Sequence, residues 1–182
     1  MEEKRDARGL TEAEAMERYR SRNYPKPALT ADIVVLWVCE DAVRVLLVER
    51  GGHPFLGRLA LPGGFANENE PLEQTAAREL EEESGVTGLA PDLVGLFSRH
   101  GRDPRGWLVS AAFAAVLHQA PLLQAGDDAA SAGWYGVEYR DGALVLHGPE
   151  TDFPAKELAF DHEEILTAAL RRCLPDFFDP RK

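Results

Sequence analysis

The segment from residue 68 to residue 83 restricts the fold of this chain of 182 residues more than any other part of it. Seven Glu and one basic residue, Arg78, give this segment −6 of the formal net charge of −11. Proline is favoured at the first position of a helix, and glycine is favoured directly after the last position. Pro71 and Gly85 therefore predict an acidic helix that begins at Pro71 and ends near Ser84.

Helical spacing places the apolar and acidic residues of this segment on different sides. At about 100° per residue, three apolar residues share one side of the helix: Leu72, Ala76 and Leu80. Three carboxylates fall on an adjoining arc about 100° wide: Glu79, Glu82 and Glu83. Like charges three or four positions apart repel each other, and the repulsion grows when they are partly buried. We therefore expect a cation beside these carboxylates.

A divalent metal ion fits this expectation. Carboxylate oxygens are ligands that Mg²⁺ and Mn²⁺ prefer, and substrate phosphates commonly complete the coordination of such ions. Arg78 carries too little charge to neutralise three carboxylates, but it would orient one of them, either Glu82 or Glu70. The alternative is an ordinary acidic face in contact with solvent, which is how most runs of charge occur.

The rest of the chain is rich in predicted strands. Six short apolar runs are typical of them: 33–39, 43–48, 59–61, 93–98, 108–117 and 134–137. Two further helices are predicted, one from Thr11 to about Arg20 with Glu14 in capping-box spacing, and one that opens at Asp161. Mixed strands with few helices indicate an α/β or α+β sandwich.

Composition argues against several classes of partner. Affinity for a phosphate backbone depends on clustered Lys and Arg, so the acidic balance argues against nucleic acid. The longest apolar run, 33–39, is far shorter than the ~20 residues that span a bilayer, and the first residues lack the apolar core of a signal peptide. Cys39 and Cys173 each lie among apolar residues, which favours buried free thiols. We therefore expect a cytoplasmic protein without a membrane partner.

One spacing pattern is specific to a known family. Gly64 is followed after five residues by Glu70, and after seven more by the run Arg78-Glu79-Leu80-Glu81-Glu82-Glu83-Ser84-Gly85-Val86. This pattern resembles the signature of the Nudix hydrolases at every defined position: Gly64, Glu70, Arg78, Glu79, Glu82, Glu83 and Gly85. The resemblance implies a Nudix-like α/β/α sandwich with a mixed central β-sheet. It also implies attack of metal-activated water on the pyrophosphate of a nucleoside diphosphate linked to another group.

The same resemblance implies roles for individual residues. The metal ligands would be four groups: Glu79, Glu82, Glu83 and the backbone carbonyl of Gly63. The cofactor would be Mg²⁺, with Mn²⁺ as the alternative. Arg78 and Glu82 are assigned to catalysis, since a carboxylate that is not fully used as a ligand can accept the proton of the attacking water. Asp127 and Asp128, in a loop outside the signature, would supply a base or an extra metal ligand, and an ordinary turn rich in Asp and Gly is the alternative.

Motifs outside the signature resemble the bacterial ADP-ribose pyrophosphatase branch of the family. They are Tyr24-Pro25-Lys26-Pro27 with Thr30 and Asp32, Gly101-Arg102-Asp103-Pro104-Arg105-Gly106, the Asp127-Asp128 loop, and Leu158-Ala159-Phe160-Asp161-His162. The resemblance implies that the substrate is ADP-ribose or a related nucleoside diphosphate sugar, split into AMP and ribose 5-phosphate. The alternatives are a housecleaning pyrophosphatase for nucleoside triphosphates and a non-catalytic ADP-ribose-sensing module. The presence of every catalytic carboxylate argues against the sensing module.

These motifs also divide the chain. We expect residues 1–23 to form a helical lead-in and residues 24–182 to form a single Nudix domain. The predicted N-terminal helix would either serve a homodimer interface or pack on the core of its own chain, and its pattern fits both.

Three arginines outside the signature are candidates for substrate binding: Arg50, Arg102 and Arg105. A guanidinium group forms paired hydrogen bonds that suit a phosphate or a terminal ribose, whereas an arginine on a solvated surface is the alternative. Trp107, Phe65 and Tyr24 would stack on adenine, although an aromatic beside a strand more often belongs to the core. His162 is expected to form local hydrogen bonds or packing contacts rather than to act in catalysis.

Overall fold

The structure, a computed structural model, describes residues 3–40, 42–124 and 129–179. Three α-helices lie in these ranges: α1 (Glu12–Arg20), α2 (Leu72–Ser84) and α3 (His162–Cys173). Nine strands lie there too: β1 (Ala28–Cys39), β2 (Ala42–Arg50), β3 (Leu59–Ala60), β4 (Gly63–Phe65), β5 (Asp92–Phe97), β6 (Leu108–Leu117), β7 (Ala129–Arg140), β8 (Ala143–His147) and β9 (Asp152–Pro154). Two short 3₁₀ helices, Ala155–Glu157 and Pro175–Phe178, flank α3.

The strands form one mixed sheet between helices. Their order is β5-β6-β1-β2-β7-β8-β9, with β3 paired to β2 and β4 paired to β1. Strand β1 runs parallel to β6 and antiparallel to β2. Ile33 and Val35 share an apolar cluster with α2, whereas Val34 and Leu36 share one with α3. Successive β1 residues thus face opposite helices, and the predicted α/β/α sandwich with a mixed central sheet is confirmed.

Strands β1 and β2 form a fork. They pair over residues 36–39 of β1 and then separate, so that β2 pairs with β3 and β1 pairs with β4. Leu61 and Pro62 link β3 to β4 between the two separated strands, and the Pro62 carbonyl accepts the N–H of Ile33 at 2.9 Å. The fork leaves space between β1 and β2 for a cavity.

The ends of the two main helices agree with the sequence prediction. Helix α2 begins one residue after Pro71 and ends at Ser84. Gly85 follows it with a φ of +72°, a left-handed conformation that glycine adopts without steric cost. Helix α3 begins directly after Asp161, as predicted, and its apolar side is buried: Ile165, Leu166, Ala169 and Leu170.

Helix α1 differs from the other two in its lack of packing. The predicted capping box is present, since the Thr11 side chain accepts the Glu14 N–H and the Glu14 side chain accepts the Thr11 N–H. None of the residues of α1 is buried, and both Met16 and Tyr19 are exposed. The alternative in which α1 packs on the core of its own chain is therefore wrong, and the homodimer interface stays a prediction.

Strands β4, β8 and β9 were not predicted. Asp141 and Gly142 join β7 to β8 with φ values of +54° and +85°. Asp-Gly between two alternating apolar runs is a strong sequence signal for a two-residue hairpin. The sequence therefore contained a signal from which β8 could have been predicted.

Two expectations from composition are also tested by the structure. Both cysteines are free, but the expected burial is wrong for Cys39, which is exposed, and only partial for Cys173. Within the described residues, no helix is long and apolar enough to cross a membrane.

Candidate active site

Glycine allows β4 to lie directly against α2. A Cβ atom at Gly64 would overlap the carboxylate of Glu79, and one at Gly63 would lie 2.5 Å from the Ala31 carbonyl oxygen. Real Cβ atoms do not approach other heavy atoms this closely, so the backbone excludes a side chain at Gly63, and a side chain at Gly64 would force the Glu79 carboxylate to move. The Gly63-Gly64 pair therefore brings the backbone of β4 to the acidic side of α2.

Arg78 organises the acidic side of α2. Its guanidinium donates to Glu70 at 2.9 Å, to Glu79 at 2.6 Å and to Glu82 at 3.0 Å, and a further N–H reaches the Phe65 carbonyl at 3.0 Å. The sequence predicted an ion pair with either Glu70 or Glu82, and the structure contains both. The Arg78 guanidinium also holds the pKa of Glu70 at about 2.

Glu83 lies on the part of α2 that faces β4. One of its carboxylate oxygens accepts the Gly63 N–H at 3.0 Å. Burial, together with the charges of Glu79 and Asp32, raises the pKa of Glu83 to about 7, although that hydrogen bond acts to lower it. Burial also raises the pKa of Glu79. Both carboxylates therefore lose contact with solvent that the nearby donors do not fully replace.

This excess of carboxylate charge fits a divalent cation. Glu79, Glu82 and Glu83 supply hard oxygen donors of the kind that Mg²⁺ and Mn²⁺ prefer. Within the described residues, no three His, Cys, Asp or Glu side chains are already gathered as a ligand set. The side chain of Glu82 is 57% exposed and has room to turn toward its neighbours. The residues therefore fit a metal ion, with a change of side-chain rotamer when it binds.

A cavity of about 470 Å³ occupies the fork between β1 and β2. Gly63, Gly64 and Glu83 line one part of it, so the acidic side of α2 reaches the cavity through Glu83. Arg50 and Arg105 line it as well. The cavity therefore combines carboxylate and guanidinium groups.

Two of the three arginines that line the cavity, Arg50 and Arg105, alternate with aromatic rings. The Arg50 guanidinium lies 4.8 Å from the centre of the Phe160 ring, and the Arg105 guanidinium lies 5.3 Å from it. Arg105 is also 4.7 Å from the centre of the Phe65 ring. Such contacts orient a guanidinium without neutralising its charge. Arg105 forms an ion pair with Asp103, and Arg50 donates to the Pro54 carbonyl, each within 2.8 Å.

Arg102 lies in neither of the two environments that the sequence predicted, which were contact with a substrate and a solvated surface. Its guanidinium forms two hydrogen bonds with the Asp161 carboxylate, at 2.8 and 2.7 Å, and the two side chains are only 4% and 3% exposed. Arg102 is thus a buried, paired arginine at the cavity wall rather than a solvated one. Asp161 precedes α3, but its side chain makes no capping hydrogen bond because it is committed to Arg102.

Asp32 and His162 form the buried end of the cavity. One oxygen of Asp32 accepts a hydrogen bond from Ser110 and lies 3.8 Å from the Arg102 guanidinium. The Nδ1 atom of His162 accepts the Leu61 N–H at 2.8 Å, so the local hydrogen bond expected for His162 is present. Burial lowers the pKa of His162, which favours the neutral ring. Asp32 and His162 also line the cavity.

The family is decided by a comparison with known domains. The NUDIX domain model matches residues 28–144, which is more than half of the chain. The chain belongs to the Nudix family. The resemblance predicted from the spacing of Gly64, Glu70 and the α2 residues is therefore confirmed.

Three proteins that are similar to this Nudix domain are named for ADP-ribose or were solved with it. An ADP-ribose pyrophosphatase of Methanocaldococcus jannaschii is 32% identical over 168 residues, which cover 92% of this chain and 86% of that protein. The NUDIX domain of Shewanella oneidensis NrtR, solved with ADP ribose, is 30% identical with a TM-score of 0.70, covering 90% of this chain and 99% of that one. An ADPR-responsive transcriptional repressor of Acinetobacter baylyi is 30% identical over 85% of this chain and 57% of its own length.

Three aromatic residues and two aspartates remain among the predicted site residues of this Nudix domain. Phe65 lines the cavity, but Trp107 and Tyr24 do not, and all three are exposed rather than part of the core. The core assignment for these three aromatics is therefore wrong. Asp127 and Asp128 lie outside the described residues.

Sequence reasoning missed the functional position of two residues. Asp32 interrupts the apolar run of a central strand, and a charged residue in such a run is rarely buried without a partner. That signal was available. Phe160 has a φ of +54°, and nothing in its sequence context indicates that it lies between two arginines.

Proposed function

We propose that the protein is a Mg²⁺-dependent pyrophosphohydrolase that splits ADP-ribose, or a closely related nucleoside diphosphate sugar, into AMP and ribose 5-phosphate. The observation that carries this proposal is the pairing of opposite charges around one cavity. Glu83 lines it beside Gly63, and Arg50 and Arg105 line it as well. A pyrophosphate is repelled by carboxylates alone, but it suits a site that combines metal-binding carboxylates with guanidinium groups.

We assign the metal to one face of this cavity. Glu79, Glu82, Glu83 and the Gly63 carbonyl would hold Mg²⁺, with Mn²⁺ as the alternative. When bound, the ion supplies Lewis-acid charge for the phosphate oxygens and lowers the pKa of a water molecule. Arg78 acts as a positioning residue, because it binds Glu79 and Glu82 at the same time.

The other assigned residues act on the substrate and on the proton. Arg50 and Arg105 would bind the phosphates through guanidinium hydrogen bonds. Arg102 is better assigned to positioning, since both of its hydrogen bonds to Asp161 are buried. The proton of the attacking water would go to Glu82 or to Asp127 or Asp128, which stay candidates for the general base.

A substrate panel with product identification tests the proposal. We expect AMP and ribose 5-phosphate from ADP-ribose in the presence of Mg²⁺. Release of inorganic pyrophosphate from a nucleoside triphosphate, with ADP-ribose untouched, would instead support the housecleaning reaction. Tight binding of ADP-ribose without turnover in Mg²⁺ or Mn²⁺ would support a sensing role, as the similarity to the A. baylyi repressor suggests.

Glutamine variants test the metal assignment. We expect Glu82→Gln and Glu83→Gln each to lower kcat by about 10²- to 10⁴-fold with an unchanged fold, because each removes one carboxylate charge. Glu81→Gln is the matched control, since Glu81 is exposed and its side chain makes no hydrogen bond among the described residues. Circular dichroism checks the fold of all three. Full activity in both Glu82→Gln and Glu83→Gln would remove the metal site from α2.

A further inference from the structure

Two polar atoms at the buried end of the cavity lack hydrogen-bond partners among the described residues. They are Oδ1 of Asp32 and Nε2 of His162, which lie 3.8 Å apart. The other polar atom of each side chain is occupied, because Asp32 Oδ2 accepts from Ser110 and His162 Nδ1 accepts from Leu61. The two side chains are only 9% and 5% exposed, yet both residues line the cavity. Both unpaired atoms therefore belong to side chains that are fixed in place and border the cavity.

The hydrogen bond that His162 accepts determines which of its ring nitrogens carries the hydrogen. Since Nδ1 accepts the Leu61 N–H, a neutral ring must carry its hydrogen on Nε2. Nε2 is then a donor, and Oδ1 of Asp32 is an acceptor. A donor and an acceptor this close match a group that both donates and accepts, and an oxygen atom roughly 2.8 Å from each satisfies both.

This chemistry differs from that of the arginine side of the cavity. A phosphate has no hydrogen to donate to Asp32 at neutral pH and is repelled by its carboxylate. Arg50 and Arg105 provide the charge that phosphate needs. A hydroxyl group donates to the carboxylate and accepts from the imidazole, so it suits the Asp32 and His162 pair.

We propose that Asp32 and His162 form a hydroxyl-binding subsite that selects a ribose hydroxyl of the substrate. This proposal rests on the proposed function for the identity of the substrate. The hydroxyl belongs either to the terminal ribose or to the ribose of the adenosine, since both sugars offer the same chemistry. The subsite gives specificity rather than chemistry, because neither residue belongs to the proposed metal ligands or to the candidates for the general base.

Two His162 variants distinguish a role in binding a hydroxyl group from a role in accepting the Leu61 backbone N–H. In His162→Asn, the amide oxygen can replace Nδ1 as the acceptor for Leu61, while the Nε2 donor is lost. In His162→Gln, the longer side chain can place an amide N–H near Nε2, while the acceptor near Nδ1 is lost. Asp32→Asn removes the charge of the acceptor at nearly constant shape.

The experiment measures binding without turnover by calorimetry. The probes are ribose 5-phosphate, AMP, and analogues of each that lack one ring hydroxyl. We expect wild-type protein to bind one parent compound about 10- to 100-fold more tightly than one of its deoxy analogues, the range for a hydrogen bond to a charged group. The parent compound that shows this preference identifies the ribose involved.

The variants should differ in how strongly they prefer a parent compound over its deoxy analogue. His162→Asn and Asp32→Asn should bind the deoxy analogue as wild type does but lose the preference for the hydroxyl. His162→Gln should keep part of the preference and lose thermal stability. Equal affinity of wild type for every compound, or an unchanged preference in His162→Asn, would overturn the subsite. If Asp32 and His162 had a purely structural role, the variants would instead bind all the compounds more weakly.

The outcome also separates this proposal from the proposed function. Hydrolysis of ADP-ribose by a wild-type protein that ignores the hydroxyls would reject the subsite alone. A clear hydroxyl preference without hydrolysis of ADP-ribose would reject the proposed reaction alone.

Discussion

The buried ion pair between Arg102 and Asp161 gives the most direct test of how the cavity wall is stabilised. Arg102→Met keeps most of the side-chain length but removes the only guanidinium within reach of the Asp161 carboxylate among the described residues. It also leaves Asp32 without its nearest cation, 3.8 Å away. Two buried carboxylates would then lack compensation. Removal of one partner of a buried pair costs about 3 to 5 kcal/mol.

This loss is large enough to measure without ambiguity. For a chain of this length, about 3 to 5 kcal/mol corresponds to a fall in Tm of between about 6 and 20 °C. Urea unfolding followed by tryptophan fluorescence gives the free energy of unfolding, and calorimetry gives the Tm. Both should be measured at low and high salt, because a buried pair is screened much less than an exposed one.

The chain offers a matched control on its surface. Arg99 and Glu164 form an ion pair with the same separation, 2.7 Å, as the closest atoms of Arg102 and Asp161, but their side chains are 61% and 56% exposed. Arg99→Met should therefore cost at most about 1 kcal/mol. Adding Asp161→Leu to Arg102→Met should recover part of the loss, because the unpaired charge is removed.

Equal losses in Arg102→Met and Arg99→Met would refute this reasoning. So would a stable Arg102→Met protein whose affinity for ribose 5-phosphate and AMP falls sharply, because that result would assign Arg102 to phosphate binding as the sequence first suggested. A large loss of stability with retained affinity in the surviving folded fraction would support the positioning role.

Two further predictions concern local packing and pH. Gly64→Ala should reduce Mg²⁺-dependent turnover, because its methyl group overlaps the Glu79 carboxylate and forces that side chain to move. Gly95→Ala, whose methyl has no neighbour closer than 3.9 Å, is the control, and wild-type kinetics in Gly64→Ala would contradict the prediction. Since burial lowers the pKa of His162 below 6.5, the unfolded chain binds that proton first, so the contribution of His162 to stability should fall as pH drops below about 6.5. The raised pKa of Glu83 acts in the opposite direction over the same range, so the measurement compares wild type with His162→Asn. The urea midpoint of wild type relative to that of His162→Asn should fall from about pH 7.5 to about pH 5.5, and a constant difference would contradict this.

Local sequence signals predicted the α2 region well. Its apolar spacing, its proline and its terminal glycine all act within a few residues, so the helix could be placed to within one residue at its start. The arrangement of Arg78 between Glu70 and Glu82 followed from the same spacing. The sequence could not supply the Gly63-Gly64 contact with α2, because that contact depends on the pairing of β4 with β1.

Partners distant in sequence explain what was missed in the cavity. Arg102 and Asp161 are separated by 59 residues, and His162 and Leu61 by 101. Spacing within one element carries no information about such pairs. The sequence identified Arg102 as chemically important but assigned it to a ligand, whereas the fold pairs it with Asp161. Asp161 was correctly placed before a helix, but its side chain binds Arg102 instead of capping that helix.

The fork between β1 and β2 has a consequence for how the pocket could change over time. The cavity lies between two strands that are held apart by the backbone of the β3–β4 link, through main-chain hydrogen bonds such as that of Ile33 with Pro62. The separation of the two strands is thus set by backbone pairing. Substitutions at lining residues such as Phe160 or Arg105 can therefore alter which ligand fits while the two strands stay apart. The same scaffold can acquire new substrates without a new fold.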